Sequence, residues 1–131
     1  MEIISVLAAA AGTWIFGAVY YGVLSKPWLE ASGVPTDENG RPQNGSSPSP
    51  YVISLIGILL VAGMMRHVFS MAGIDTVAEA ITAGGGIGLF FISPWIMLNN
   101  GYTMRPFKLT LIDGGYATFG CLIMGVILAL L

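Results

Sequence analysis

The chain has 131 residues, 55% hydrophobic and 9% charged, with a net charge of −2 and a mean hydropathy of +0.79. A soluble domain carries roughly 25% charged residues, so this composition excludes an ordinary soluble fold and points to one integral membrane domain. It also leaves no basic surface for nucleic acid, and the single cysteine, Cys121, excludes an intrachain disulfide or a paired-cysteine metal or redox motif.

The first apolar run covers residues 3–24 without a charge. Its length as a helix is about 33 Å, enough for a hydrocarbon core of about 30 Å. No positive region precedes it and it is too long for a signal-peptide core, so it reads as a retained transmembrane helix. Gly17 lies in a row with Ala9 and Thr13, and Ala10, Ala18 and Gly22 form a parallel row; such rows let helices approach closely in lipid. Tyr20, Tyr21 and Trp28 gather beside Lys26, with Trp28 expected as an interface anchor. Residues 26–50 form the long polar loop. Pro27–Gly33 suits a short interfacial helix, and the Pro/Gly/Ser/Asn-rich remainder suits an exposed loop.

The second span is expected over residues 51–73. The uncharged part, Tyr51 to Met65, reaches only about 22 Å, so the helix must continue through Arg66 and His67. Arg66 would snorkel to the headgroups, or pair with Asp75 or Glu79 across the following turn. The third span, 76–98, contains Gly84-Gly85-Gly86 and Gly88, with Gly84 and Gly88 at the four-residue spacing of close helix packing. No strand precedes these glycines and no Lys-Ser/Thr follows, so they are not a phosphate-binding loop. Pro94 predicts a bend near the helix exit, with Trp95 at the interface. The last span, 113–131, would be capped by Asp113. It carries a stripe of Ala117, Cys121, Gly125 and Ala129, in which Cys121 is a small buried residue.

These elements predict an all-α fold, an integral membrane bundle of four transmembrane helices in a single domain, 1–131. The two polar loops share one side and hold Lys26, Arg41, Arg105 and Lys108, whereas the other side has only Arg66. Excess positive charge marks the cytoplasmic side, so both termini are expected to face away from it.

Two passages carry a resemblance when taken together. One is Gly17-Ala18-Val19-Tyr20-Tyr21-Gly22-Val23-Leu24-Ser25-Lys26-Pro27-Trp28. The other is Asn100-Gly101-Tyr102, Arg105-Pro106, Leu111-Ile112-Asp113-Gly114-Gly115-Tyr116 and Leu122-Ile123-Met124-Gly125-Val126-Ile127-Leu128. In this order they resemble the small bacterial and fungal membrane proteins of domain-of-unknown-function family 1761. That family usually has Trp-Tyr where this chain has Tyr20-Tyr21. The resemblance spans nearly the whole chain apart from the 34–50 loop. It implies a compact four-helix bundle and brings no assigned reaction or catalytic residue.

Charged groups within spans are candidate sites because leaving them unpaired in lipid costs about 3 kcal/mol or more. Arg66, His67 and Glu79 lie near one end of the second and third spans and could form a proton- or anion-responsive patch; all three could also simply reach the interface. One histidine with two nearby acids is too few ligands for zinc, and Ser70 near His67 lacks the third member and oxyanion site of a hydrolytic triad. Haem or pigment ligation by His67 has no further support in the sequence. Arg105 and Lys108 are expected at anionic headgroups. Gly17, Gly84, Gly88 and Gly125 are the expected packing positions. No catalytic, cofactor or metal site is assigned, so a non-enzymatic role is expected. The partners expected are the lipid bilayer and either a larger membrane complex or further copies of the chain. The alternative is a small solute, ion or proton-linked transport module. The expected location is the inner membrane of a bacterium, multi-pass.

Overall fold

The computed structural model describes residues 2–43 and 47–131. The chain is all-α. Its helices are α1 (Glu2–Val23), α2 (Ser25–Ser32), α3 (Ser49–Ala72), α4 (Val77–Ile87), α5 (Ser93–Tyr102) and α6 (Phe107–Leu130), with a π-helical turn over Gly88–Ile92 that joins α4 to α5. Among the described residues four rods are long and apolar enough to cross a membrane: α1, α3, the continuous Val77–Tyr102 segment and α6. Within lipid the backbone must satisfy its own hydrogen bonds, which is why apolar runs of this length fold as helices.

Local chemistry sets the helix ends. Gly33 (φ 72°) and Gly73 (φ 69°) close α2 and α3 in the left-handed region, and the Gly73 N–H donates to the Phe69 carbonyl. Thr76 and Glu79 form a reciprocal capping box at the start of α4. The 34–43 stretch is a small turn in which Thr36 pairs with Pro42 and the Asp37 carboxylate accepts from the Asn39 and Arg41 N–H groups.

The central rod is α6. It packs on α1 along one side and on α4 and α5 along the other, while α3 lies against α1 and meets α6 only lightly. Although α3 and α4 are joined by a tight turn, they scarcely touch. All four rods contribute to one buried cluster: Ala9 and Ala10 of α1, Ala62, Met65 and Phe69 of α3, Ala80 of α4, and Cys121, Met124 and Leu128 of α6. Small side chains dominate it because lipid gives no hydrophobic drive for association, so stability comes from close backbone approach.

Two expectations are corrected. Asp113 does not cap the last helix, which begins at Phe107 after an extended Pro106 (φ −64°, ψ 148°). The apolar pattern hid this start because Lys108 and Asp113 lie inside the helix; Lys108 reaches Glu30 (3.7 Å) and Asp113 is hydrogen-bonded by Tyr21 (2.7 Å). The third rod also runs one turn beyond residue 98, to Tyr102, and Met104 (φ 60°) reverses the chain. Pro94 is accommodated by the π turn that precedes it. Proline has no N–H and its ring crowds the carbonyl four residues back. Here the Ser93 N–H donates five residues back to Gly88, which relaxes that turn.

Candidate functional site

Polar side chains inside the bundle concentrate on the seam between α1 and α6, toward the side of the two polar loops. Four hydroxyl groups bridge it. Tyr20 donates to the Ile112 carbonyl (2.7 Å), Tyr21 to Asp113 Oδ1 (2.7 Å), Tyr116 to the Thr13 carbonyl (3.2 Å) and Thr13 to the Gly120 carbonyl (3.4 Å). Glycines make the room. A Cβ at Gly17 would sit 2.7 Å from the Tyr116 phenol oxygen, and one at Gly115 would collide with the Tyr20 hydroxyl. Each helix thus supplies a tyrosine and the notch that receives its partner's.

The rings form one aromatic cluster. Tyr21 meets Tyr20, Tyr116 and Trp28 edge-on, with centroids 5.2, 5.3 and 6.0 Å away, and Phe16 lies 5.9 Å from Tyr116. Trp28 is half-buried on α2, so this expected interface anchor also ties α2 to the seam. Asp113 is the half-buried carboxylate at the centre. Arg105, on the exposed loop before α6, forms no ion pair with it; among the described residues the one ion pair is Lys108–Glu30.

A second polar knot fixes α5 to α6. The Ser93 hydroxyl lies 2.7 Å from the Gly88 carbonyl oxygen, 3.0 Å from that of Gly114 and 3.4 Å from Thr118 Oγ1. Thr118 donates to Gly114 (2.8 Å), and Asn100 donates to Thr110 (3.1 Å) nearer the loop. These bonds satisfy hydroxyls that would otherwise be costly in lipid.

The structure does not bring Arg66, His67 and Glu79 together. Arg66 Nη1 donates to the Leu128 carbonyl (3.1 Å), one of the terminal carbonyls of α6 that lack an intrahelical donor, so the cation stands at a negative helix end. Its Nε is enclosed without a partner. His67 faces outward. Glu79 Oε1 accepts from the Asp75 and Thr76 N–H groups, at 3.3 Å each. The expected pairing of Arg66 with Asp75 or Glu79 is therefore replaced by a bond to backbone. Among the described residues no group of three or more His, Cys, Asp or Glu could hold a metal ion.

The four packing glycines all work within the chain. A Cβ at Gly84 would come 2.5 Å from the Cys121 carbonyl oxygen, and one at Gly125 2.9 Å from that of Ala80. At Gly88 it would collide with the Ala117 carbonyl and Thr118. Tyr20, Tyr21, Tyr116, Ser93 and Thr118 escaped the sequence reading as site residues. Tyr20 and Tyr21 read as interfacial aromatics, Tyr116 carried no reading beyond the family resemblance, and nothing in a single sequence pairs residues some ninety positions apart.

Compared with known families, residues 4–129 match the family described as "Protein of unknown function (DUF1761)". The chain belongs to this family. No curated protein and no solved structure matched. The match takes in the α1–α6 seam and the α4–α6 packing alike, so both belong to the family domain of this chain. The family description names no reaction, and any assignment of activity must come from the geometry.

Proposed function

We propose that the chain acts without catalysis, by helix packing, as an oligomeric or accessory component of a membrane assembly. One observation carries this reading: three glycines in the middle of the spans, unlike Gly22 and Gly101 at span ends, serve no close approach in the single chain although they sit at membrane depth. Gly57 and Gly63 on α3 and Gly86 on α4 have open space where a side chain would go. Each costs its helix about 1 kcal/mol relative to alanine, and lipid contact returns nothing for it. Gly86 continues an outward row with Ala78 and Thr82 at the four-residue spacing. That row forms part of a shallow, open depression lined by Ile74, Ala78, Glu79, Thr82 and Ala83. A helix from a second copy or a larger membrane complex suits such a surface. The test is the mass of the particle in native nanodiscs, with co-purifying chains identified, for the wild type and for Gly86→Leu. Loss of association in the variant with retained helicity supports the reading.

The charge distribution supports placing the two polar loops in the cytoplasm and both termini opposite, in a bacterial inner membrane. Lys26, Arg41, Arg105 and Lys108 share the loop side, and only Arg66 lies toward the other.

A second reading, a small solute, ion or proton-linked transport module, is favoured by Asp113. A half-buried carboxylate within a span, bonded by a phenol rather than by a cation, is a default functional candidate. Flux into liposomes above empty controls that Asp113→Asn abolishes would favour transport; no flux at any pH would remove it.

A further inference from the structure

We propose that Arg66 and the acidic rim beyond it form a binding site for a zwitterionic phospholipid headgroup, with the phosphate on Arg66 and the ammonium toward Asp75 and Glu2. This does not rest on the assembly proposed above, since Arg66, Asp75 and Glu2 do not line the α4 depression.

Arg66 is a cation inside a span with no carboxylate of the described residues within ion-pair distance. Its Nη1 is fixed by Leu128 and its Nε is enclosed. Among the described residues Nη2 makes no hydrogen bond and, unlike Nε, is not enclosed, so this one nitrogen of the guanidinium remains free to donate. Guanidinium groups prefer phosphate and carboxylate oxygens, and the described residues supply neither within ion-pair distance.

Depth and charge select the headgroup. Arg66 lies six residues before the end of α3 at Ala72, about 9 Å inside it, within snorkelling reach of phosphate. Beyond it, at the same end of the bundle, stand the exposed Asp75, Glu79 and Glu2. Glu79 is committed to its capping box, whereas the Asp75 and Glu2 carboxylates accept no hydrogen bond from the described residues. A deep cation under an outer rim of acids complements a lipid whose phosphate is deep and whose ammonium is outermost. It opposes a lipid with net negative charge, which the rim would repel.

The experiment uses the whole protein in nanodiscs of equal phosphatidylethanolamine and phosphatidylglycerol, with the lipid that survives detergent transfer counted by native mass spectrometry. Wild type should retain the ethanolamine lipid in preference. Arg66→Gln should lower that retention about ten-fold, the worth of roughly one charge-assisted hydrogen bond, and Arg66→Lys should keep most of it. Asp75→Asn with Glu2→Gln, which leaves Arg66 in place, should keep a bound lipid but move the preference to phosphatidylglycerol. Equal retention by Arg66→Gln, or a wild-type preference for phosphatidylglycerol, would overturn the proposal. Lys26→Gln, on the opposite side, should change nothing; an equal loss there would also overturn it.

Discussion

Tyr116 fits onto Gly17 across the α1–α6 seam: a side chain at Gly17 would begin 2.7 Å from the phenol oxygen, which donates to the Thr13 carbonyl one turn back along the same helix. The contact makes Gly17 a notch rather than a flexible joint. Gly17→Ala should force the ring out and weaken this bond, lowering stability by about 1–3 kcal/mol, the usual cost of overpacking. Gly22→Ala on the same helix meets nothing within 4 Å and should be neutral or stabilising by up to about 1 kcal/mol. Thermal unfolding in detergent compares the pair, and equal melting temperatures would contradict the notch.

Tyr21→Phe removes the hydroxyl bonded to Asp113 while keeping the ring among its aromatic neighbours. A hydrogen bond to a charged acceptor contributes about 1.5–3 kcal/mol, so a loss of that size is expected. Asp113→Asn still offers an oxygen to Tyr21 and should lose less. Denaturant titration followed by tryptophan fluorescence, to which Trp28 on Tyr21 contributes beside Trp14 and Trp95, reads both variants.

Arg66→Met should change stability in detergent by less than about 1 kcal/mol. It forfeits the bond to Leu128 but removes an enclosed, unpartnered Nε, and the two effects are of similar size. Arg66→Ala also loses the packing of the aliphatic stem and should be clearly worse. A large loss on Arg66→Met, measured by the same unfolding assay, would mean that the cation contributes more than its one visible bond.

The bundle was legible in the sequence because a bilayer admits few structures: long apolar runs must become helices, and helices in lipid must meet through small residues. Gly84, Gly88 and Gly125 accordingly mark where α4 meets α6. The start of α6 was not legible, since Lys108 read as loop and Asp113 as a helix cap when each has a partner in α2 or α1. The Tyr21–Asp113 bond and the Ser93 knot depend on which helices become neighbours, and hydrophobic periodicity does not encode this. Nor did it show that Arg66 and Glu79, close in sequence to a shared turn, would be drawn to different partners. Small residues also look alike whether they face a neighbour or lipid; only the packed chain separates Gly88 from Gly86.

That separation gives the most direct test of association through unused glycines. The particle mass in native nanodiscs should be measured for wild type, Gly86→Leu and Gly88→Leu, each with its helicity. Wild type should be larger than one chain, alone or with a stoichiometric partner. Gly86→Leu should fall to a folded single chain, and Gly88→Leu should lose its fold through collision with the α6 backbone. A wild-type protein that is already a single chain without partners, or a Gly86→Leu particle of unchanged mass, would contradict the account.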